Sequence, residues 1–201
     1  MLLKRIFDFL AALAGIIVLS PLFLLIALLI RIKMPGPIIF KQKRIGQYGR
    51  IFTIYKFRTM ISDHEGSSVS VKGESRIPPF GNFLRRSKLD ELPELWNIIK
   101  GEMSLVGPRP DVPGYADELQ GDDRMILNVK PGLTGPACMK YSHEEALLAK
   151  QKDPLKYNDE VLYPDKVRIN KSYIQHWSLG LDLKIILYTL LGKKLKEEWA
   201  K

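Results

Sequence analysis

From residue 9 to residue 30 the chain carries no charged side chain. A helix of that length covers about 33 Å, close to the hydrocarbon core of a bilayer. The run is too long for a signal peptide, and no small-x-small cleavage site follows it. Such a helix either spans the membrane or enters and returns. Ser20-Pro21 lies near its middle. Pro21 lacks an N–H and its ring crowds the Ile17 carbonyl, while the Ser20 hydroxyl can bond upstream backbone and ease a bend. Lys4 and Arg5 precede the run; Arg31, Lys33, Lys41, Lys43 and Arg44 follow it. With bases on both flanks, the tendency of positive charge to stay in the cytoplasm selects no orientation. Residues 1–33 are therefore a membrane unit and residues 34–201 a second unit of ordinary globular composition.

The net charge of +9 calls for anionic partners: phosphates, acidic lipid or nucleic acid. The bases are dispersed and match no nucleic-acid-binding motif, which disfavours the last. Cys138 is the sole cysteine, so an intrachain disulfide and a cysteine zinc site are excluded. His64, His143 and His176 have no metal-ligand spacing.

Residues 85–111 read RRSKLDELPELWNIIKGEMSLVGPRPD. Leu89, Leu92, Leu95, Trp96 and Ile99 recur at helical steps and predict one apolar face. Ser87-x-x-Asp90 and Pro93 are both helix-start signals, and both put Asp90 and Glu91 at the positive end of the helix dipole. An ionised aspartate there can be a nucleophile or a ligand for a hard cation. Taken alone, Ser-x-x-Asp more commonly just caps a helix. Arg85, Arg86 and Lys88 precede the acidic pair and Lys100 and Arg109 follow it, a setting suited to phosphate. Prolines on both sides of Arg109 fix its backbone, and a pre-positioned guanidinium suits bidentate phosphate binding.

The segments around this centre are less specific. Residues 38–40 and 51–57 predict the two strands of a small β-hairpin turned at Gly46 to Gly49. Lys56 and Arg58, two apart at its end, would share a face and could clamp a diphosphate, or simply be solvated. Residues 61–79 are polar and glycine-rich and predict a loop. In KPGLTG at 130–135, two glycines would permit close backbone approach to a ligand. Residues 142–178 predict helices around Pro154 and Pro164. The apolar segment after Leu181, with Lys193, Lys194, Lys196 and Trp199 behind it, predicts an interfacial amphipathic helix or a core helix with a basic tail.

SKLDELPELWNIIKGEMSLVGPRP resembles the signature of the bacterial sugar transferases known as monotopic phosphoglycosyl transferases. KFRTM at 56–60, KPGLTG and LDLKIILYTL near the C-terminus extend the resemblance over nearly the whole chain. It implies an α/β, mostly helical protein: a re-entrant helix-break-helix turning at Ser20-Pro21, a small β-hairpin and a catalytic helical shell with interfacial amphipathic helices. It implies that Asp90 attacks the β-phosphate of a UDP-sugar, releasing UMP, and that polyprenol phosphate, in bacteria undecaprenyl phosphate, takes the phosphosugar from the aspartate. Glu91 would be its acid/base partner, and Mg2+, bound through Asp90, would assist. Lys56, Arg58, Arg85 and Arg109 become the phosphate contacts. The implied location is the cytoplasmic face of the bacterial inner membrane, against anionic lipid; a homo-oligomer stays open. PACMKY at 136–141 departs from the Trp-Ala-Gln-Val-x-Gly run of some family members, so the sugar does not carry over.

Two other functions fit the sequence: a basic lipid-binding module without catalysis, and a direct transferase without a covalent intermediate. The adjacent Asp90 and Glu91 in an arginine-flanked, proline-fixed setting speak against the first.

Overall fold

The structure is a computed structural model and describes residues 2–60 and 77–193. The polar loop at 61–76 and the basic-aromatic end at 194–201 lie outside the described residues.

Helix α1 (Leu2–Lys33) runs without interruption through Pro21. The proline removes the donor that would have reached the Ile17 carbonyl, and Ser20 Oγ donates to that carbonyl at 2.8 Å. The expected break is thus accommodated inside one helix, and a local side-chain bond satisfies the freed backbone group. Most of the helix surface is bare: Leu10, Ile17, Val18, Leu24 and Leu28 are exposed. One stripe is not. Ala12, Ile26 and Ile30 are buried, and Gly15 lies against Leu95.

Both ends of α1 are fastened to the rest of the chain. Arg5 donates to the carbonyls of Ile98 and Ile99 at 2.5 and 2.8 Å, Asp8 accepts from the Leu105 N–H at 3.1 Å, and Lys4 pairs with Asp182 at 2.6 Å. At the other end Ile30 and Met34 pack with Phe57 and Leu84.

Strands β1 (Ile39–Ile45) and β2 (Ile51–Phe57) pair antiparallel, Ile39 opposite Phe57 and Ile45 opposite Ile51, giving the expected hairpin. Helix α2 (Pro79–Arg86) starts at a proline, which supplies a preset φ where no N–H is needed. A single 3-10 turn, Leu89–Glu91, separates it from α3 (Glu94–Lys100). Strands β3 (Ser104–Val106) and β4 (Gly132–Thr134) form a short parallel pair that the sequence pattern did not predict. Short 3-10 turns at Ala116–Glu118 and Gly121–Asn128 follow Asp111.

Helices α4 (Pro136–Lys140), α5 (Glu144–Leu148), α6 (Pro154–Tyr157), α7 (Tyr163–Gln175) and α8 (Leu179–Leu190) complete a mostly helical shell. Val167, Ile169 and Tyr173 of α7 are buried, whereas α8 buries Leu181 and Ile185 and exposes Leu183, Leu187 and Leu190. Asp182, 1% exposed, accepts from Tyr173 and Trp177 as well as Lys4, so one carboxylate ties the start of α1 to α7 and α8.

Candidate active site

Ser87 closes α2 and does not start the next helix. Its hydroxyl donates back to the carbonyls of Phe83 and Leu84 at 2.8 and 3.2 Å. Lys88 then takes a left-handed backbone, φ 58°, and ends the helical path. Asp90 and Glu91 therefore sit on their own 3-10 turn just before α3, whose N-cap is Pro93. The apolar face also differs from expectation: Ile98 is fully buried in the core, and Trp96 is 52% exposed.

Asn97, which the sequence pattern gave no reason to single out, sets the position of this turn. It is completely buried and uses its whole amide. Oδ1 accepts from the Tyr55 N–H at 3.1 Å, and Nδ2 donates to the Thr53 carbonyl and to Glu102, each at 2.7 Å. It thereby locks α3 to the edge of β2. A satisfied buried amide of this kind specifies a single register. In that register Lys56, next along β2, meets the carboxylates of the turn.

Lys56 Nζ lies 3.1 Å from Glu91 and 3.2 Å from Glu94. Arg109 holds Glu91 from the other side, through Nη2 to Oε1 and through Nη1 to Oε2 at 3.4 Å. Arg109 keeps 41% of its side chain open to solvent. The loop carrying it is seated by backbone contact. A Cβ on Gly132 would lie 2.1 Å from Gly107 N, and one on Gly135 2.2 Å from Gly107 O. The KPGLTG glycines thus admit the backbone of the Gly107-Pro108-Arg109 loop, and this close approach is within the protein.

Lys56 and Arg109 are the two phosphate candidates that the described contacts bring to the acidic pair. Arg58 is buried at the end of β2 and donates to the carbonyls of Met34 and Pro35, the latter at 3.1 Å. Arg85 pairs with Glu145.

The carboxylates differ sharply in state. Burial pushes the Asp90 carboxyl up, Glu91 pushes it further, and Lys56, Lys88 and Arg109 oppose with less effect. The ionisation expected from a helix N-terminus is thus outweighed by desolvation. Among the described residues buried Asp90 Oδ1 has no hydrogen-bond partner, and the N-cap of α3 is Pro93 with no side-chain cap bond. Burial would also raise Glu91, but Arg109 and Lys56 overcome it and hold the group far below the ordinary carboxylate range. Glu94, 1% exposed, is raised to about 7 by burial and by Glu91, against Lys56.

Glu94 makes a pH prediction. Its folded value lies above the ordinary 4.5, so its charge costs stability as pH rises from 4.5 through about 7. The full cost, on the order of 1–3 kcal/mol, is reached above pH 7. Glu94→Gln should therefore raise the melting temperature in detergent more at pH 8 than at pH 5. An equal change at both pH values, or a loss confined to pH 8, would refute this origin.

Among the described residues, no three or more His, Cys, Asp or Glu side chains are grouped to hold a metal. The unpartnered Asp90 oxygen nonetheless fits a hard divalent cation of the Mg2+ type, which uses one or two carboxylates together with substrate phosphates and water.

A long apolar helix docked along a helical domain, with buried carboxylates set between cations, defines a membrane-associated protein suited to phosphate chemistry. Residues 1–194 match the model of the family described as bacterial sugar transferase. The chain belongs to that family. Similar proteins include a UDP-glucose:undecaprenyl-phosphate glucose-1-phosphate transferase of Xanthomonas campestris pv. campestris, 37% identical over 95% of this chain and 39% of that protein. An exopolysaccharide production protein PSS of Rhizobium leguminosarum bv. phaseoli is 34% identical over 96% of each. A UDP-N-acetylgalactosamine-undecaprenyl-phosphate N-acetylgalactosaminephosphotransferase of Aeromonas hydrophila is 34% identical over 94% of this chain and 43% of that protein. The chain spans less than half of the Xanthomonas and Aeromonas proteins and nearly all of the Rhizobium one.

Proposed function

We propose that this protein transfers a phosphosugar from a UDP-sugar to undecaprenyl phosphate through a phosphosugar carried on Asp90. The observation that carries the reading is the buried, unpartnered Asp90 oxygen beside a Glu91 gripped by Lys56 and Arg109. Asp90 attacks the β-phosphorus, the bond to the bridging oxygen breaks, and UMP leaves with the electron pair. An oxygen of the lipid phosphate then attacks the same phosphorus and frees the carboxylate. Burial makes ionised Asp90 the more basic and hence the better nucleophile. Glu91, charged and fixed, serves here to hold Lys56 and Arg109 toward the phosphates. A divalent cation such as Mg2+, held by Asp90, would neutralise diphosphate charge.

The test is intact-protein mass measurement after mixing with Mg2+ and a panel of UDP-sugars, without lipid acceptor. A phosphosugar adduct, with one UMP released per adduct and neither product in chelator, is expected. UMP released only when undecaprenyl phosphate is added would favour the direct transferase.

We further propose that α1, while helical throughout, kinks at Ser20-Pro21 and so enters and leaves on the cytoplasmic face of the inner membrane. Support comes from the basic residues on both flanks and from contacts with one helical body at both ends, through Arg5 and Asp8 and through Ile30 and Met34. The exposed apolar residues of α1 and α8 would meet lipid, with the basic chain against its anionic headgroups. A Leu2→Cys variant should resist a membrane-impermeant thiol reagent added outside cells. Labelling from outside would establish a spanning helix.

A further inference from the structure

The loop that carries Arg109 has few backbone donors of its own. Pro108 and Pro110 have no N–H, so beyond Gly107 the loop is fastened through its carbonyls. The Gly132 N–H donates to the Pro108 carbonyl at 2.7 Å, the Ile45 N–H to that of Asp111 at 2.9 Å, and Arg44 Nη1 to that of Pro110 at 3.1 Å. The first two are backbone bonds, which no side-chain change removes directly. The third depends on one side chain, and it holds the residue next to Arg109. The loop also borders a cavity shared with Ile45, Ala116, Ile126 and Leu127, so packing leaves it room to shift on that side.

Arg44 is itself held for this task. Gln42, two residues earlier on the same face of β1, accepts from Arg44 Nη2 at 2.7 Å. The planar fork is thereby fixed with its other prong on the Pro110 carbonyl. Arg44 Nε is buried with no partner among the described residues, so the group keeps this place at a cost. Burial lowers the Arg44 guanidinium below its ordinary value, and the charge of Arg109 lowers it further. The tether therefore acts between two neighbouring like charges, and the position of one constrains the other.

We infer that Arg44 is a positioning residue of this site: by holding the Pro110 carbonyl it fixes where the Arg109 guanidinium stands against Glu91 and the substrate phosphates. Arg44 acts through Arg109, and Asp90 keeps the chemistry. The effect on turnover rests on the proposed transferase reading, whereas the tether itself can be measured without turnover.

The experiment places Arg44→Met and Arg44→Lys in the unaltered protein and in Arg109→Ala. The rate of adduct formation is followed with Mg2+ and the UDP-sugar that gives the adduct. Arg44→Met should lower the maximal rate roughly tenfold, the scale of a modest misplacement at a site, and leave the donor concentration for half-maximal rate nearly unchanged. In Arg109→Ala the same change should slow the reaction less than about twofold, because the group it positions is gone. Arg44→Lys keeps the charge but not the fork, and should fall between the unaltered protein and Arg44→Met. Equal slowing in both backgrounds would make Arg44 independent of Arg109 and overturn the inference. So would an Arg44→Lys protein as fast as the unaltered one, which would leave only the charge. Where Arg44→Met does not fold, Arg44→Lys carries the same comparison. Hydrogen exchange of the Gly132 amide, which donates to the Pro108 carbonyl, reports the seating of the loop directly. It should quicken roughly threefold or more in Arg44→Met and keep its rate in Arg109→Ala. Unchanged exchange in Arg44→Met would overturn the tether. Quickened exchange in a protein whose unaltered form gives no adduct with any UDP-sugar would leave the tether standing and fail the transferase reading instead.

Discussion

Asp90→Asn should leave a folded, membrane-bound protein that forms no phosphosugar adduct and turns over about 10^4-fold or more slowly, the scale expected when a covalent nucleophile is removed. The substitution is nearly isosteric and removes a carboxyl that burial makes costly to ionise. Its melting temperature in detergent should therefore be unchanged or higher. That pairing of intact stability with lost chemistry distinguishes a nucleophile from a structural acid. A non-catalytic lipid-binding module would show equal vesicle binding with and without the change and no turnover in either. Asp90→Asn protein that still gives the adduct would exclude Asp90 as its site of attachment.

The sequence made the hairpin legible because two runs of β-branched and aromatic residues flank a glycine turn. It made the acidic pair legible because Asp90 and Glu91 lie among bases at a helix boundary. The nature of that boundary was misread. Ser87 can bond forward to open a helix or back to close one, and the same letters serve both; the structure closes α2 with it. Nothing in a lysine announces a left-handed backbone, so the interruption at Lys88 was not readable. Trp96 matched the helical period yet faces outward, because Asn97, a polar residue inside the apolar pattern, turns α3 toward the strand edge for its three hydrogen bonds. Glu94 escaped notice because its state depends on burial and on Lys56, far away in sequence. Strands β3 and β4 are three residues each, too short for periodicity to reveal. The KPGLTG glycines were recognisable as a place of close approach, but the approaching backbone is that of Gly107.

Arg109→Ala should be the most damaging change outside Asp90, because it acts on Glu91 and on the substrate together. Glu91 is charged in the folded protein because Arg109 and Lys56 outweigh its burial. That contribution is present above about pH 4.5 and fades as pH falls toward the depressed folded value. Without the guanidinium only Lys56 opposes the desolvation, so the Glu91 carboxyl rises and its charge ceases to stabilise. Removing one partner of a fully buried pair costs about 3–5 kcal/mol. With Arg109 41% exposed, water screens the pair, and about 2 kcal/mol is the fitting scale. Turnover should fall by roughly 10^2–10^3, the loss typical of removing a fixed donor to developing negative charge. Arg109→Lys keeps the charge but not the two-pronged grip, and should fall between the two. The pH response discriminates further: residual stability in Arg109→Ala should be relatively better near pH 6 than near pH 8, as expected for buried carboxylates that prefer their protons. Stability and turnover close to those of the unaltered protein would mean that Lys56 alone holds Glu91 and that Arg109 is dispensable to the site.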